Sequence, residues 1–358
     1  MPNHDIIAIG ASAGGVETVA KLIQRLPPDL PAPLFVVLHF PSNSSSVLPQ
    51  ILNRIKTLPA AHPRNGEPIQ PGQIYVAPPN HHLLVQSGQI LLSRGPRENG
   101  HRPAIDTLFR SVARAYGRRA VGIILSGMLD DGTAGLKFIH ARGGVTIAQD
   151  PEEALFESMP RSAIEHTHVD YVLKVADVAA LIIQLAHTPI PEEKSMSDPA
   201  EHDMAKDRNN GIEREGEIVA LDKAKLEQGE KSGTASTWTC PDCGGVLWEL
   251  QDESLIRFRC HTGHTYSLES LVAEQENDLE RALWSATRAL EEKAALARRM
   301  AAQAKQQNRR ISETQFLERA QEAQHQAEML RQMILQQTEI RRGNGKHQAR
   351  EAIDRTDL

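Results

Sequence analysis

Residues 5–26, DIIAIGASAGGVETVAKLIQRL, set a short unbroken apolar run against a glycine-rich turn and then a segment of helical period. A run that is apolar throughout, rather than alternating, suits a strand buried on both faces of a parallel sheet. The same unit recurs: LFVVLHF at 34–40 precedes SSVLPQILNRI at 45–55, and AVGIILSG at 120–127 precedes TAGLKFIHARGG at 133–144. This βαβ rhythm predicts an α/β domain over residues 1–190, with a doubly wound, mainly parallel sheet covered by helices on both sides. Within it, HHLLVQSGQILLS at 81–93 reads as an exposed hairpin around Ser87 and Gly88, and RPAIDTLFRSVARAYG at 102–117 as a helix opened by a proline. The strand DYVLKV at 170–175 and the helix ADVAALIIQLAH at 176–187 close the unit.

Beyond it the composition changes. Residues 191–236 are charged, poor in aromatics and without apolar period, and read as a flexible linker. Residues 237–267 hold all three cysteines of the chain and read as a small zinc-ribbon-like β module. Residues 268–345 repeat apolar positions in steps of three and four, through Leu271, Leu279, Leu283, Ala286, Leu290 and Ala297, and predict long amphipathic helices. That α-helical C-terminal region could pack as a hairpin or drive self-association. A disordered tail is expected over 346–358.

The whole chain has 358 residues and a formal net charge of -6, which gives no electrostatic reason to expect nucleic acid as a partner. No leader-like segment opens the sequence, and no apolar run reaches the length of a membrane span. Three clustered thiols suit metal ligation better than disulfides and imply a reducing compartment, so the expected location is the cytoplasm.

In a parallel α/β sheet, ligands bind outside the carboxyl ends of the strands, where polar groups following buried runs are candidates for chemistry. Ser12 follows IIAIGA, His39 ends LFVVLH and Asp131 follows VGIILSGML. Together they supply the hydroxyl, imidazole and carboxylate that acyl transfer requires. A serine hydroxyl needs a base to take its proton, and the base needs a carboxylate to fix its tautomer and stabilise the imidazolium. Gly10, Gly14 and Gly15 would allow a sharp turn from strand to helix that presents Ser12 beside free backbone N–H groups. Each residue also has a plainer reading: Ser12 and one of Asp130 and Asp131 could be helix caps, and His39 one of 15 histidines. The glycine turn after an apolar strand also resembles that of short-chain dehydrogenases, but Tyr75, Tyr116, Tyr171 and Tyr266 are followed four residues later by Pro79, Ala120, Val175 and Ser270, never lysine.

GASAGG, VVLHF, GHRPAIDTLF, ILSGMLDDG and AQDPEEALFESMPRSAI occur in an order that resembles the catalytic domain of the chemotaxis protein-glutamate methylesterases, over about residues 5–187. The resemblance implies a Ser12–His39–Asp131 triad, an oxyanion site at the backbone amides of Ala13 and Met128, and hydrolysis of glutamyl methyl esters with related glutamine deamidation. It implies no catalytic cofactor, and as partner a methylated or amidated signalling protein, a chemoreceptor, met from the membrane periphery. Ala13 stands where threonine is frequent in that family, and Leu129 where glycine is usual. With the catalytic strand starting near residue 5, no receiver domain is expected ahead of it, and regulation is expected to differ. A non-catalytic signalling adaptor built on the same fold is the alternative. His81, His82, His101 and Arg102 are candidates to line the cleft, with nothing to choose between them.

In the cysteine-bearing segment, CPDC and CHTGH offer two knuckles. Cys240, Cys243, Cys260 and His264 are expected to hold one structural Zn²⁺, with His261 the rival fourth ligand. Trp238, Val246, Leu247, Trp248, Ile256 and Phe258 are expected to form the small core of this module, which is too slight to fold without metal.

Overall fold

The computed structural model describes residues 3–40, 46–190, 233–252 and 255–354. It divides into a first compact unit ending at Leu271 and a second starting at Val272. The expected linker at 191–236 lies almost wholly outside the described residues.

The apolar runs form the expected strands. β1 (Ile6–Ala11), β2 (Leu34–Leu38), β3 (Ala60–Ala61), β4 (Ile74–Val76), β7 (Ala120–Ile124), β8 (Val145–Gln149) and β9 (Tyr171–Leu173) make one seven-stranded sheet in the order β3-β4-β2-β1-β7-β8-β9. Every neighbouring pair is parallel. Along β1, Ile7, Ile9 and Ala11 enter one apolar cluster while Ile6 and Ala8 enter the other, which is why the run has no polar alternation. Helices α1 (Gly15–Ile23), α2 (Leu48–Ile55) and α6 (Val175–His187) supply Val19, Leu22, Leu52, Val178 and Ile182 to the first cluster. Helices α3 (Ile105–Tyr116), α4 (Thr133–Ala141) and α5 (Ser158–His166) supply Phe109, Leu136 and Met159 to the second.

The hairpin of β5 (His82–Gln86) and β6 (Gln89–Ser93) is present, but it is not simply exposed: Leu83, Val85 and Ile90 are fully covered in the second cluster. Pro103 precedes the cap residue Ala104 rather than standing in the first turn of α3.

The chain leaves β1 toward β2 on one side and returns to β7 on the other. The sheet order therefore reverses beside β1, and the carboxyl ends of β1 and β7 form the switch point at which open α/β sheets bind ligands. Gly15 allows α1 to start so close to that edge, since a Cβ there would lie 2.6 Å from Leu38 Cδ1 and 2.7 Å from Ala11 Cβ.

A four-stranded antiparallel sheet, β10 (Thr234–Thr239), β11 (Val246–Asp252), β12 (Leu255–Cys260) and β13 (Thr265–Ser267), completes the first unit. Its core is narrower than the sequence suggests. Leu247, Phe258 and Tyr266 are buried with Cys240, Cys260 and Leu271, whereas strand alternation turns Val246, Ile256 and, in part, Trp238 toward solvent.

Helices α7 (Leu268–Gln306) and α8 (Arg310–Asp354) follow, and the second unit is a helical hairpin reversed near Asn308, which has φ 56°. Its seam is alanine rather than leucine. Ala294, Ala297, Ala301 and Ala304 are buried on α7, as are Ala320, Ala323, Ala327 and Ile334 on α8, while Leu279 is exposed. Arg298 donates to Gln324 across the hairpin at 2.9 Å. α8 extends through Asp354, beyond the point where a disordered tail is expected, and residues 355–358 lie outside the described part. No helix of the described residues is long and apolar enough to cross a membrane.

Candidate active site

β1 and β2 pair in parallel with Ala11 opposite Leu38, so Ser12 and His39 are the next residues on two adjacent strands, at one level of the sheet edge. Their backbones are tied there: His39 N donates to Ala11 O at 3.2 Å, and Ser12 N to Ser126 O at 3.0 Å just beyond β7. Asp131, on the turn between β7 and α4, accepts a hydrogen bond from His39 Nε2 at 2.8 Å. The structure thus joins the predicted histidine and aspartate, and sets the predicted serine beside the histidine in register.

Asp131 is buried and takes four donors. Its Oδ2 accepts from His39 and from the Ile105 amide at 2.7 Å, and its Oδ1 from Asn99 Nδ2 at 3.0 Å and the Asp106 amide at 3.3 Å. Two of these are free N–H groups of the first turn of α3, where a carboxylate is favoured. Burial opposes the charge, but the His39 hydrogen bond, the neighbouring imidazoles and the Ile105 amide outweigh it and hold the carboxyl well below the usual range. With Nε2 committed to Asp131, His39 Nδ1 is the free ring nitrogen, and it is buried with no hydrogen-bond partner among the described residues. Ser12 is half-buried, and among the described residues its Oγ makes no hydrogen bond.

The expected oxyanion donors lie on the two turns that flank Ser12. Gly127 N is engaged with Phe156 O at 3.0 Å, while among the described residues the amides of Ala13 and Met128 have no acceptor. Met128 itself is exposed, and Leu129 beside it holds the left-handed conformation at φ 61°, where glycine would be at ease.

Residues 7–182 match the CheB methylesterase family. A Leptospira interrogans protein provisionally named protein-glutamate methylesterase/protein-glutamine glutaminase is 39% identical over 184 residues, covering 51% of this chain and 95% of that protein. The chain belongs to the CheB methylesterase family. A Pectobacterium atrosepticum protein-glutamate methylesterase/protein-glutamine glutaminase is 40% identical over 183 residues, covering 50% of this chain and 52% of that protein. The crystal structure of the Thermotoga maritima CheB methylesterase catalytic domain has 33% sequence identity and a TM-score of 0.49, over 52% of this chain and 99% of that one. The CheB match ends in α6, so the four-stranded sheet and the helical hairpin lie outside it.

Around the candidate site, sequence reasoning left three residues unassigned. His101 stacks on His39 with ring centroids 3.7 Å apart and planes 14° off parallel. Burial, reinforced by His39, pushes the His101 pKa down to about 3, so the stack is formed with His101 neutral. Asp106 completes a reciprocal arrangement: Asp131 sits at the start of α3, and Asp106 of α3 accepts the amides of Gly132 at 3.1 Å and Gly135 at 2.6 Å at the start of α4. Its burial and the nearby Asp131 charge raise its pKa to about 7. Asn99 Nδ2 bridges the two carboxylates, 3.1 Å from Asp106 Oδ2 and 3.0 Å from Asp131 Oδ1. The PAID step into α3 hints at Asp106 as a cap, but nothing in the sequence distinguishes Asn99.

The other cleft candidates have structural partners. His82 bonds Pro96 O at 2.8 Å, His81 accepts from Arg94 at 3.1 Å, and Arg102 grips Asn80 and the carbonyls of Arg94 and Gly95. The Asp130 side chain accepts from Ser267 Oγ at 2.7 Å and Ser270 Oγ at 3.0 Å, and not from His39.

In the four-stranded sheet, one ligand atom from each of Cys240, Cys243, Cys260 and His264 lies within 4.8 Å of all the others. A zinc tetrahedron with ordinary bond lengths has edges of ~3.8 Å between two sulfurs and ~3.6 Å between sulfur and nitrogen. Cys243 Sγ is 3.7 Å from Cys260 Sγ, and His264 Nδ1 is 3.6 Å from Cys240 Sγ and 3.5 Å from Cys260 Sγ. The spacing fits a metal, and His261, which is exposed, is not in the group.

Proposed function

We propose that this chain is a carboxylic ester hydrolase acting on glutamyl methyl esters of a signalling protein, with Ser12 as nucleophile, His39 as general base and Asp131 as its orienting carboxylate. The supporting observation is the imidazole of His39: Nε2 is engaged by a buried, ionised Asp131, and the unpartnered Nδ1 is left at the strand-end level of Ser12. Ser12 Oγ attacks the ester carbonyl as its proton passes to Nδ1. The amides of Ala13 and Met128 receive the charge that develops on the carbonyl oxygen. His39 returns the proton to the departing methanol, and a water activated in the same way releases the glutamate. A glutamine side chain would follow the same course with ammonia leaving, and neither path requires a cofactor.

The relatives' printed names support a protein substrate with methylated or amidated glutamyl side chains, and the chemistry suits a chemoreceptor reached from the cytoplasm. The Cys240, Cys243, Cys260 and His264 group would hold one structural Zn²⁺: four protein ligands leave no open position for substrate.

The test is incubation of the full chain with a methylated receptor fraction, scoring methanol release and the glutamyl side chains by mass spectrometry. Loss of methyl groups with the wild type, and none with Ser12→Ala, is expected. Binding without turnover would replace the hydrolase reading with that of an adaptor. Metal analysis should find one zinc per chain, lost in His264→Ala and kept in His261→Ala.

A further inference from the structure

The groups that orient Asp131 are not confined to the sheet that carries the triad. Asn99 is buried, with φ 51°, and its side chain has two chemically different ends. The NH₂ end donates to Asp131 and Asp106, and the oxygen end accepts the Ser267 amide of β13 at 2.9 Å. Turned over, the oxygen would face the Asp131 carboxylate and the NH₂ group would face the Ser267 N–H, so the Ser267 amide and Asp131 together fix which end meets Asp131.

The same strand grips the backbone. Asn99 N donates to Thr265 O at 2.7 Å, and Thr265 N to Arg97 O at 3.3 Å. Glu98 is buried beside Arg110 of α3 and lies 3.8 Å from Arg257 of β12. On the triad turn itself, Asp130 is held by the hydroxyls of Ser267 and Ser270. The small sheet therefore reaches both segments that position the catalytic carboxylate, 97–99 and 130–131.

β13 begins at Thr265, directly after His264, and Cys260 N donates to His264 O at 3.0 Å. The turn that carries two of the four metal-group residues thus aims β13.

We propose that the metal-bearing sheet is a working part of the esterase site, in which β13 sets Asn99 as a positioning residue for the Asp131–His39 pair and metal loss is felt as reduced reactivity of Ser12. This rests on the triad reading above, and its test uses a probe that does not depend on the natural substrate.

The probe is a fluorophosphonate applied to the full-length protein. Ser12 Oγ forms a bond to phosphorus as the P–F bond breaks, fluoride departs and His39 Nδ1 takes the hydroxyl proton. Intact mass follows labelling, and zinc content is measured in parallel. Hydrogen bonds to charged groups are worth enough that removing the Asn99 donor, or loosening it by stripping zinc with a chelator, should lower the maximal labelling rate about ten- to hundredfold. The reagent concentration for half-maximal rate should stay unchanged, and added zinc alone should restore the stripped wild type. In Asn99→Ala, stripping zinc should cause a smaller further loss than in the wild type, because both perturbations remove the Asn99 contact.

Zinc-free wild type labelled as fast as the zinc-loaded protein overturns the proposal, and this arm stands even if Asn99→Ala fails to fold. Asn99→Ala labelled at the wild-type rate overturns it too. If the zinc-loaded wild type is not labelled at Ser12 at all, the triad reading fails and this inference falls with it.

Discussion

Asp131→Asn is the substitution that most directly tests the proposed site, because the native carboxylate meets donors on both oxygens. Oδ2 faces His39 Nε2 and the Ile105 amide, and Oδ1 faces Asn99 Nδ2 and the Asp106 amide. An asparagine must put an NH₂ group against one of these pairs. Facing His39, it forces Nε2 to accept, which moves the ring proton to Nδ1 and removes the base. Facing Asn99 and Asp106, it leaves His39 Nε2 as a donor but deletes the charge that stabilises the imidazolium. In a serine-protease triad the equivalent change costs about 10⁴ in kcat, or about 5.4 kcal/mol of barrier, and a loss of that order is expected here. Two charge-assisted hydrogen bonds at about 1.5–3 kcal/mol each predict destabilisation of about 3–6 kcal/mol before any relief from removing the negative neighbour of Asp106. The assay is methanol release from a glutamyl methyl ester peptide at neutral pH, with thermal unfolding in parallel. Asp130→Asn serves as the register control, since among the described residues the Asp130 side chain bonds only Ser267 and Ser270, and it should cost far less in turnover. A variant of Asp131 that keeps more than about a tenth of wild-type turnover refutes the assignment, since the barrier would then have risen by less than about 1.4 kcal/mol.

Ser12→Ala and His39→Gln should each nearly abolish turnover, and the double variant should be no worse than either single one because the groups act as a unit; additive losses would argue for separate roles. Gly135→Ala should destabilise by about 1–3 kcal/mol and slow turnover, since its Cβ would lie 2.6 Å from Phe109 Cβ and 3.0 Å from Asp106 Cα and would push α4 from α3; an unchanged thermal midpoint would contradict that contact. Asp106 has a pKa raised to about 7, so the native state keeps a proton that the unfolded chain releases near pH 4. Its contribution to stability is then fully present below that lower pH and is lost as pH rises toward about 7. Asp106→Asn should flatten the thermal midpoint across this window, and a wild-type stability that rises there, with no change in the variant, would refute the reading.

The sequence by itself determined the parallel sheet, because strands buried on two faces must be apolar throughout, as IIAIG and LFVVL are. It also singled out Ser12, His39 and Asp131 as candidates, because each follows such a run and the topology brings strand ends to one edge. The cysteine group was legible for a different reason: ligand types and spacing are local properties of the chain. In the C-terminal region the periodicity announced helices but misplaced their contact, since exposed Leu279 and buried Ala301 both fit a helical period and only the partner helix decides which is covered. Only the tertiary structure could reveal that His101 stacks on His39, that Asp106 and Asp131 cap each other's helices, and that Asn99 joins both carboxylates to Ser267, 168 residues away in sequence. A buried hydrogen bond leaves no period and no motif; it exists because two distant segments are brought together and each polar group, once out of water, must find a partner.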